Sequence, residues 1–384
     1  MRAILCSLVL GALVVGGCQS IAGIEDRHFD PLDDGGTGGK GTVIEASETC
    51  KKYCKDVMGA CVGDIAQYAD MDTCLAVCGK IPEGEAHEPG GNTIGCRETQ
   101  AGYALVGEPE LYCDKAGPGG GGTCGTDCQS YCNLFAAICS DQYDPLPDCE
   151  ESCKALRVDP VFNPVASYMG DTLNCRLVHI SAASLDPTTH CQHARVVPPT
   201  DPCADPPTDK PSCTDFCRIV GVACGDPAGD GAADAGAAGP RAVYESTQQC
   251  MDVCNALPRG LNKDMDGNNT VGCRKYHSYN AVADPVVHCP HTGPGGDGVC
   301  STDNCESYCQ LAAVACSTDF KKHFPGGADA CKTECEALDG AAAGSGYNIS
   351  TPDGNTVQCR LLRTARAFSD SSQCAAALGA APCN

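Results

Sequence analysis

The sequence predicts an all-α protein built from four small helical modules that disulfide bonds hold together. Three observations support this class. The 384 residues include 34 cysteines, a level typical of disulfide scaffolds. One pattern of eight cysteines occurs four times along the chain. Within each copy, constant cysteine spacings place the sulfur atoms on one face of a helix.

The N-terminal segment, residues 1–17, has the composition of a secretory signal peptide. Its apolar run over residues 3–15 is too short to span a bilayer comfortably. The run ends in a Val-Gly-Gly-Cys sequence that closes at Cys18, and this ending resembles the lipobox of bacterial lipoproteins. The resemblance implies cleavage before Cys18, acylation of Cys18 and anchoring in a lipid bilayer. Gln19, in place of an aspartate, favours the outer over the inner membrane of a bacterial cell envelope.

The segment that follows, residues 18–47, is rich in acidic residues and glycine. Such a composition cannot bury enough apolar surface to form a core, so we expect a flexible, solvated tether. The tether would connect the lipid anchor to the modules.

The four modules account for every cysteine except Cys6 and Cys18. Each begins with two cysteines four residues apart and a third cysteine seven residues later, and a second pair four residues apart follows after a variable gap. The modules occupy residues 48–124 (module 1), 125–203 (module 2), 204–300 (module 3) and 301–384 (module 4). We expect each to be a unit of about three helices with four disulfides, because many thiols pair stably only in an oxidising compartment.

The two cysteine pairs of each module predict part of the disulfide connectivity. Two helices that each carry cysteines four residues apart suit an antiparallel, cross-linked hairpin, which joins the first cysteine to the fifth and the second to the fourth. Eight cysteines allow 105 pairings, and the pairing of the other four stays open. The predicted pairs are Cys50–Cys78, Cys54–Cys74, Cys128–Cys153, Cys132–Cys149, Cys213–Cys254, Cys217–Cys250, Cys305–Cys335 and Cys309–Cys331.

A repeated start signal marks the third helix of each module. Asn or Asp followed by Thr precedes the sixth cysteine, and this is good N-cap chemistry. An arginine follows the sixth cysteine in all four modules, which suits binding to a carboxylate or to a helix-end carbonyl. A short loop containing Asp-Pro or Glu-Pro is then expected before the seventh cysteine.

Charge and motif content exclude several functions. The net charge is −23 and there is no basic tract, so nucleic acid is not an expected partner. No two cysteines are separated by two residues, which argues against zinc ribbons, iron–sulfur runs and thioredoxin-like redox sites. No phosphate-binding loop, nucleophile elbow or zinc-protease motif occurs either, so the sequence does not predict an enzyme.

The histidines supply the one candidate site for a ligand. Six of the nine fall into two sets with the same spacing, and each set begins one turn along the third helix and ends on either side of the seventh cysteine. Three imidazoles with an open fourth position suit Zn²⁺ or Cu²⁺, or they form a pH-responsive cluster, or they are polar surface residues that both modules share by descent. The sets are His179, His190 and His193 in module 2, and His277, His288 and His291 in module 3.

The whole arrangement resembles the cysteine-rich, tandem-repeat surface lipoproteins of myxobacterial type, and the resemblance covers residues 50–383. It implies no catalytic residues. We therefore expect a non-enzymatic, lipid-anchored cell-surface or periplasmic protein that acts in binding, adhesion or envelope structure, with an unidentified protein or envelope partner and no cofactor. The alternative is a metal-handling protein that binds Zn or Cu through the two histidine sets.

Overall fold

The computed structural model describes residues 45–146, 148–225, 241–350 and 353–384. In these residues the chain forms seventeen α-helices and no β-strand, apart from two isolated β-bridges. The predicted all-α, disulfide-rich class is therefore confirmed. The expected signal peptide, Cys18 and nearly all of the expected tether lie outside the described residues.

Among the described residues, modules 1 to 3 each contain four α-helices, one more than expected, and module 4 contains five. Most begin at a Ser, Thr or Asp whose side-chain oxygen accepts a hydrogen bond from a backbone N–H of the first turn, as helix N-termini require. The helices are α1 Glu48–Ala60, α2 Met71–Cys78, α3 Ile94–Val106 and α4 Pro109–Ala116 in module 1; α5 Asp127–Ile138, α6 Cys149–Cys153, α7 Leu173–Ala183 and α8 Pro187–Ala194 in module 2; α9 Cys213–Cys224, α10 Thr247–Ala256, α11 Val271–Ala283 and α12 Pro285–Thr292 in module 3; and α13 Asn304–Ala315, α14 Ser317–His323, α15 Ala328–Cys335, α16 Val357–Ala367 and α17 Cys374–Ala377 in module 4.

Sixteen disulfides follow one pairing rule in all four modules. The first cysteine is bonded to the fifth and the second to the fourth, which is the pairing expected of two cross-linked helices. The structure also supplies the pairs that the spacing left open: the third cysteine is bonded to the seventh and the sixth to the eighth. These remaining bonds are Cys61–Cys113, Cys96–Cys124, Cys139–Cys191, Cys175–Cys203, Cys224–Cys289, Cys273–Cys300, Cys316–Cys374 and Cys359–Cys383.

In every module the helix that carries the sixth cysteine begins at the repeated threonine; it is the third helix of modules 1 to 3 and the fourth of module 4. The side chain of Thr270, for example, accepts a hydrogen bond from the backbone N–H of Cys273 and caps α11. The preceding residue, Asn269, is not the cap, because its Oδ1 accepts a hydrogen bond from Arg274. The repeated arginine thus binds both the start of its own helix and carbonyl oxygens beyond it.

The segment with the Asp-Pro or Glu-Pro dipeptide is a helix start rather than the expected loop. In modules 1 to 3 the proline is the first residue of the fourth helix, where its missing N–H costs nothing and its fixed φ suits the helix. In these modules the seventh cysteine therefore lies on a short fourth helix, which runs back along the third helix.

In modules 1, 2 and 4, a buried aromatic residue ties the first helix to the end of the last helix. Tyr53, Tyr131 and Tyr308 lie before the second cysteine and are buried. Their hydroxyls donate to the carbonyls of Ala116, Ala194 and Ala377, at distances of 2.5, 2.7 and 2.8 Å. Phe216 has no hydroxyl for this bond, and in module 3 Tyr244 donates instead to Thr292 O, at 3.0 Å.

The hydrophobic side chains form two large cores rather than four. One core joins residues of modules 1 and 2, and the other joins residues of modules 3 and 4. A small cluster of Ala155, Ile219 and Tyr279 lies where modules 2 and 3 meet. Shared cores compensate for the low aromatic content, because a unit of about 80 residues buries little apolar surface alone.

Candidate functional site

The six predicted histidines lie on two equivalent helical hairpins. His179 is on α7 and faces α8, which carries His190 and His193 one turn apart. We call these three residues the first triplet. His277 on α11 faces His288 and His291 on α12, and these three form the second triplet.

Short connections bring each hairpin together. α11 and α12 meet at Asp284, which both ends α11 and caps α12 by accepting a hydrogen bond from Val287 N. The seventh cysteine lies between the two histidines of the fourth helix, and its disulfide to the end of the first helix holds that helix in place. These bonds are Cys139–Cys191 beside the first triplet and Cys224–Cys289 beside the second.

The imidazole nitrogens of each triplet converge. In the first triplet the Nδ1 atoms of His179 and His190 are 3.0 Å apart. In the second triplet the Nδ1 of His277 lies 3.0 Å from that of His288 and 3.3 Å from that of His291. In each triplet the three possible ligand atoms all lie within 4.8 Å of one another. The sequence allowed three interpretations of this spacing, and one of them was that the histidines are polar surface residues. Neither triplet fits that interpretation, because its rings converge.

These separations match the geometry of a metal centre. Two nitrogens bound to one zinc ion at about 2.0–2.1 Å, with tetrahedral angles, lie about 3.3 Å apart. The measured Nδ1 separations of 3.0 and 3.3 Å are close to that value. Three nitrogen ligands would leave a fourth position for water or another ligand.

A backbone carbonyl orients the central histidine of each triplet. His179 Nε2 lies 3.2 Å from the carbonyl oxygen of Tyr168, and His277 Nε2 lies 3.1 Å from that of Met265. A carbonyl only accepts hydrogen bonds, so each Nε2 carries the proton and each Nδ1 presents a lone pair to the other two rings. Metal-binding histidines typically have this support.

Burial keeps the triplets neutral. The side chain of His179 is fully buried, and burial, followed by the neighbouring histidines, lowers its pKa to about 4 despite the bond to Tyr168 O. The pKa of His277 is likewise lowered to about 4, first by burial and then by His291 and His288. Burial also lowers the pKa of the four other histidines. Neutral imidazole is the form that binds metal.

The first triplet contains an unsatisfied nitrogen. His193 Nδ1 is buried and has no hydrogen-bond partner among the described residues. A buried polar atom without a partner costs free energy. A cation bound between the rings would satisfy this nitrogen.

Cysteine sulfurs also approach both central histidines. Cys175 and Cys203 lie near His179, and Cys273 and Cys300 lie near His277. These four sulfurs form the Cys175–Cys203 and Cys273–Cys300 disulfides, so they are not thiolate ligands. The donor set of each candidate centre is therefore three imidazoles.

Modules 1 and 4 have other residues at the equivalent positions, and these make direct contacts instead. In module 4, Arg363 Nη1 donates to Gln373 Oε1 at 3.1 Å. In module 1, the Lys115 ammonium lies 5.1 Å from the centre of the Tyr112 ring. The hairpin thus tolerates several polar pairs, and only modules 2 and 3 present three imidazoles.

The carbonyls that orient the central histidines were not predicted from the sequence. Any residue supplies a backbone carbonyl, so Tyr168 and Met265 give no compositional signal. Only the path of the loop before the third helix places them beside the imidazoles.

Comparison with known proteins identifies partial relatives. A family model described as the BfoA family C-terminal domain matches residues 36–128 and 232–304. The Aurasperone B biosynthesis cluster protein A of Aspergillus niger is 36% identical over 73 residues, which are 19% of this chain and 23% of the relative. The Bifonsecin B biosynthesis cluster protein A of Aspergillus brasiliensis is 36% identical over 73 residues, which are 19% of this chain and 24% of the relative. The chain thus spans about a quarter of the length of the curated relatives it matches. No solved structure matches it.

These relatives correct two expectations. They are fungal proteins, so the resemblance to bacterial and myxobacterial-type lipoproteins is wrong, and so is the bacterial cell-envelope localisation that depended on it. The resemblance rested on the four residues ending at Cys18 and on the cysteine repeat over residues 50–383. The first is a motif short enough to occur by chance after an apolar run, and the second is a disulfide scaffold of the kind that secreted proteins in general use. The chain is a disulfide-rich protein related to fungal biosynthesis-cluster proteins.

The described residues contain no helix that is both long and apolar enough to cross a membrane.

Proposed function

We propose that this protein binds transition-metal ions, one in each histidine triplet, with Zn²⁺ or Cu²⁺ as the ion. The observation that carries the proposal is the convergence of three imidazoles at both sites, with Nδ1 separations of 3.0–3.3 Å. Imidazole suits both ions, and its donor strength favours Cu²⁺ where both are available.

Three features of the sites support metal binding over a purely structural role. The central histidines are held by carbonyl oxygens in the tautomer that points a lone pair inward. All six imidazoles have lowered pKa values, so few protons must leave when a metal binds. The same arrangement occurs in two modules that differ in the residues around it.

The lowered pKa values weigh against the alternative of a pH-responsive cluster at physiological pH. A pKa of about 4 for His179 and His277 places their protonation well below neutrality. We keep the proposal to binding rather than catalysis, because the sequence has no recognised catalytic motif. The disulfides would make the sites rigid, since each hairpin is tied to the first helix of its module.

Isothermal titration calorimetry of the untagged, metal-free protein tests the proposal. At neutral pH we expect about two ions of Zn²⁺ or Cu²⁺ to bind per chain, one for each triplet. Replacing one half-buried ligand in each triplet, in a His190→Gln/His288→Gln double variant, should lower affinity at both sites by about tenfold or more. Each single variant should weaken one site.

The matched control is His87→Gln, because His87 is exposed and lies outside both triplets. This variant should bind about two ions, as the parent protein does. Alkylation with iodoacetamide beforehand excludes binding by any free thiol. A protein that takes up no Zn²⁺ or Cu²⁺ would contradict the proposal, as would a double variant that binds like the parent.

A further inference from the structure

A cavity of about 380 Å³ lies where modules 2 and 3 meet. It lies between the segment that follows α8 and the helix α11 with its preceding loop. Its volume is within the range of roughly 300–1,000 Å³ that is typical of small-molecule sites. None of the six triplet histidines lines it. The cavity adjoins the second triplet, because the Tyr276 ring lies 5.2 Å from the His277 ring and the Met265 carbonyl faces His277 Nε2.

The lining of the cavity is mainly apolar and includes five rings. Three of the rings, those of Pro198, Pro199 and Pro207, belong to the segment that follows α8. The other two, those of Tyr276 and Tyr279, belong to α11. Met265 adds an apolar side chain from the loop before α11. Aromatic rings pack well against other rings in offset-stacked or edge-to-face arrangements, and every ring atom in contact adds dispersion energy.

The charged groups at the cavity balance one another. Lys275 is buried and its ammonium is paired with the carboxylate of Asp205. The buried carboxylate of Asp171 accepts from Arg176, at 2.8 Å, and from the hydroxyl of Tyr279. The remaining charges are Asp201 and Lys263, one of each sign and both exposed. An anionic or a cationic ligand would therefore meet one attractive and one repulsive charge, and it would lose its hydration without a net electrostatic gain.

Three polar side chains at the cavity are available to a ligand. Within the described part of the chain, the carboxylate of Asp201, the hydroxyl of Tyr276 and the amide of Asn280 make no hydrogen bond. Asp201 accepts and the other two both donate and accept, which suits a hydroxyl group. A few placed polar groups in an apolar wall are the usual basis of specificity in small-molecule sites.

We propose that this cavity binds a neutral, planar hydroxyaromatic molecule. The fused rings lie between the prolines and the tyrosines, and a hydroxyl hydrogen-bonds to Asp201 or Tyr276. This inference goes beyond metal binding and does not depend on it. Its test therefore uses metal-free protein in the presence of a chelator.

The probe is 2-naphthol, whose fluorescence anisotropy reports binding without interference because the protein contains no tryptophan. We expect saturable binding of one molecule per chain. The anion 2-naphthoate, the cation 2-naphthylmethylammonium and the non-planar decahydro-2-naphthol, tested by competition, should each bind about tenfold more weakly or worse.

Filling the cavity should weaken the interaction. Ala204 lines the cavity, and Ala204→Phe should weaken 2-naphthol binding by about tenfold or more. Ala86→Phe is the matched control, because Ala86 is exposed in module 1, and it should leave binding unchanged. Thermal unfolding of both variants verifies that they fold.

A second pair of variants tests recognition of the hydroxyl, independently of cavity filling. Tyr276→Phe and Asp201→Asn should reduce the preference for 2-naphthol over 2-methoxynaphthalene by several-fold, since each removes a partner of the hydroxyl. Three results would overturn the proposal: no saturable binding, equal binding by the Ala204→Phe variant, or tighter binding of either charged probe.

Discussion

Each of the first three modules buries one arginine completely. Arg97, Arg176 and Arg274 are among the largest side chains that have essentially no exposed surface. Arg274 donates to the carbonyls of Gly293, Thr270, Cys300 and Pro294, and also to Asn269 Oδ1 and Ser307 Oγ. Burial lowers the pKa of Arg274 to about 10, which leaves it charged at neutral pH. One side chain thus satisfies the loop carbonyls that surround the end of the module.

Replacing this arginine should be strongly destabilising. Arg274→Met leaves several buried acceptors without a donor, and we expect a loss of at least about 3 kcal/mol. Arg241→Met is the control, because Arg241 is exposed, and it should change stability little. The readout is the thermal midpoint under oxidising conditions. Equal midpoints for the two variants would contradict the structural role of Arg274.

The central histidines make the metal-free protein sensitive to acid. His179 and His277 have pKa values of about 4 in the folded protein, against an ordinary value of 6.5. Between these values the unfolded chain binds more protons, so stability is present above pH 6.5 and is lost as the pH falls towards 4. We expect each central histidine to contribute on the order of 1 kcal/mol to this loss.

A His179→Gln/His277→Gln variant tests this pH dependence. Glutamine is suitable because Gln100 is buried at the equivalent position of module 1. The thermal midpoint of the metal-free parent should fall between pH 7 and pH 5 by several degrees more than that of the variant. If the thermal midpoint of both proteins falls by the same amount between pH 7 and pH 5, these two histidines do not cause the loss of stability.

At the scale of elements, two kinds of disulfide have different roles. The Cys213–Cys254 bond joins the first two helices of module 3. The Cys224–Cys289 bond joins α9 to α12, and Cys289 lies between His288 and His291. Only the second bond fixes a helix that carries metal ligands.

This difference predicts separable effects. Removing either bond, by Cys213→Ala/Cys254→Ala or by Cys224→Ala/Cys289→Ala, should cost about 2–5 kcal/mol of stability. Only loss of the 224–289 bond should also weaken metal binding at the second triplet, by about tenfold or more. The first triplet serves as an internal reference, and calorimetry at a temperature where both variants are folded measures the effect. Equal affinities in both variants would show that the bond does not position the ligands.

At the scale of the whole molecule, the modules are joined in pairs. The Arg274 side chain of module 3 donates to Ser307 of module 4, and Arg97 of module 1 donates likewise to Ser130 of module 2. The contact between modules 2 and 3 is smaller and includes the hydroxyl of Tyr279, which donates to Asp171. Asp171 precedes α7 and Tyr279 lies on α11, so this bond connects the helices that carry the two central histidines.

Removing this hydrogen bond should weaken the contact between modules 2 and 3. Tyr279→Phe removes one hydrogen bond from a buried carboxylate, and we expect a cost of about 1–3 kcal/mol. Amide hydrogen exchange should quicken at the start of α7 and along α11, but not within α1 or α13. Tyr103→Phe is the control, because Tyr103 is half exposed. Unchanged exchange in Tyr279→Phe would mean that other contacts alone join the two pairs.

The sequence by itself determined the helical class, the four repeats, the first two disulfides of each module and the six histidines. These features are local, because a spacing of three or four residues puts side chains on one helical face. The tertiary structure alone decided the third-to-seventh and sixth-to-eighth disulfides, because within a module none of these cysteines has another cysteine four residues away to mark a shared helical face. It also decided the carbonyls at Tyr168 and Met265, the shared cores and the cavity between modules 2 and 3. These depend on how helices pack against distant segments, and no local spacing encodes that packing.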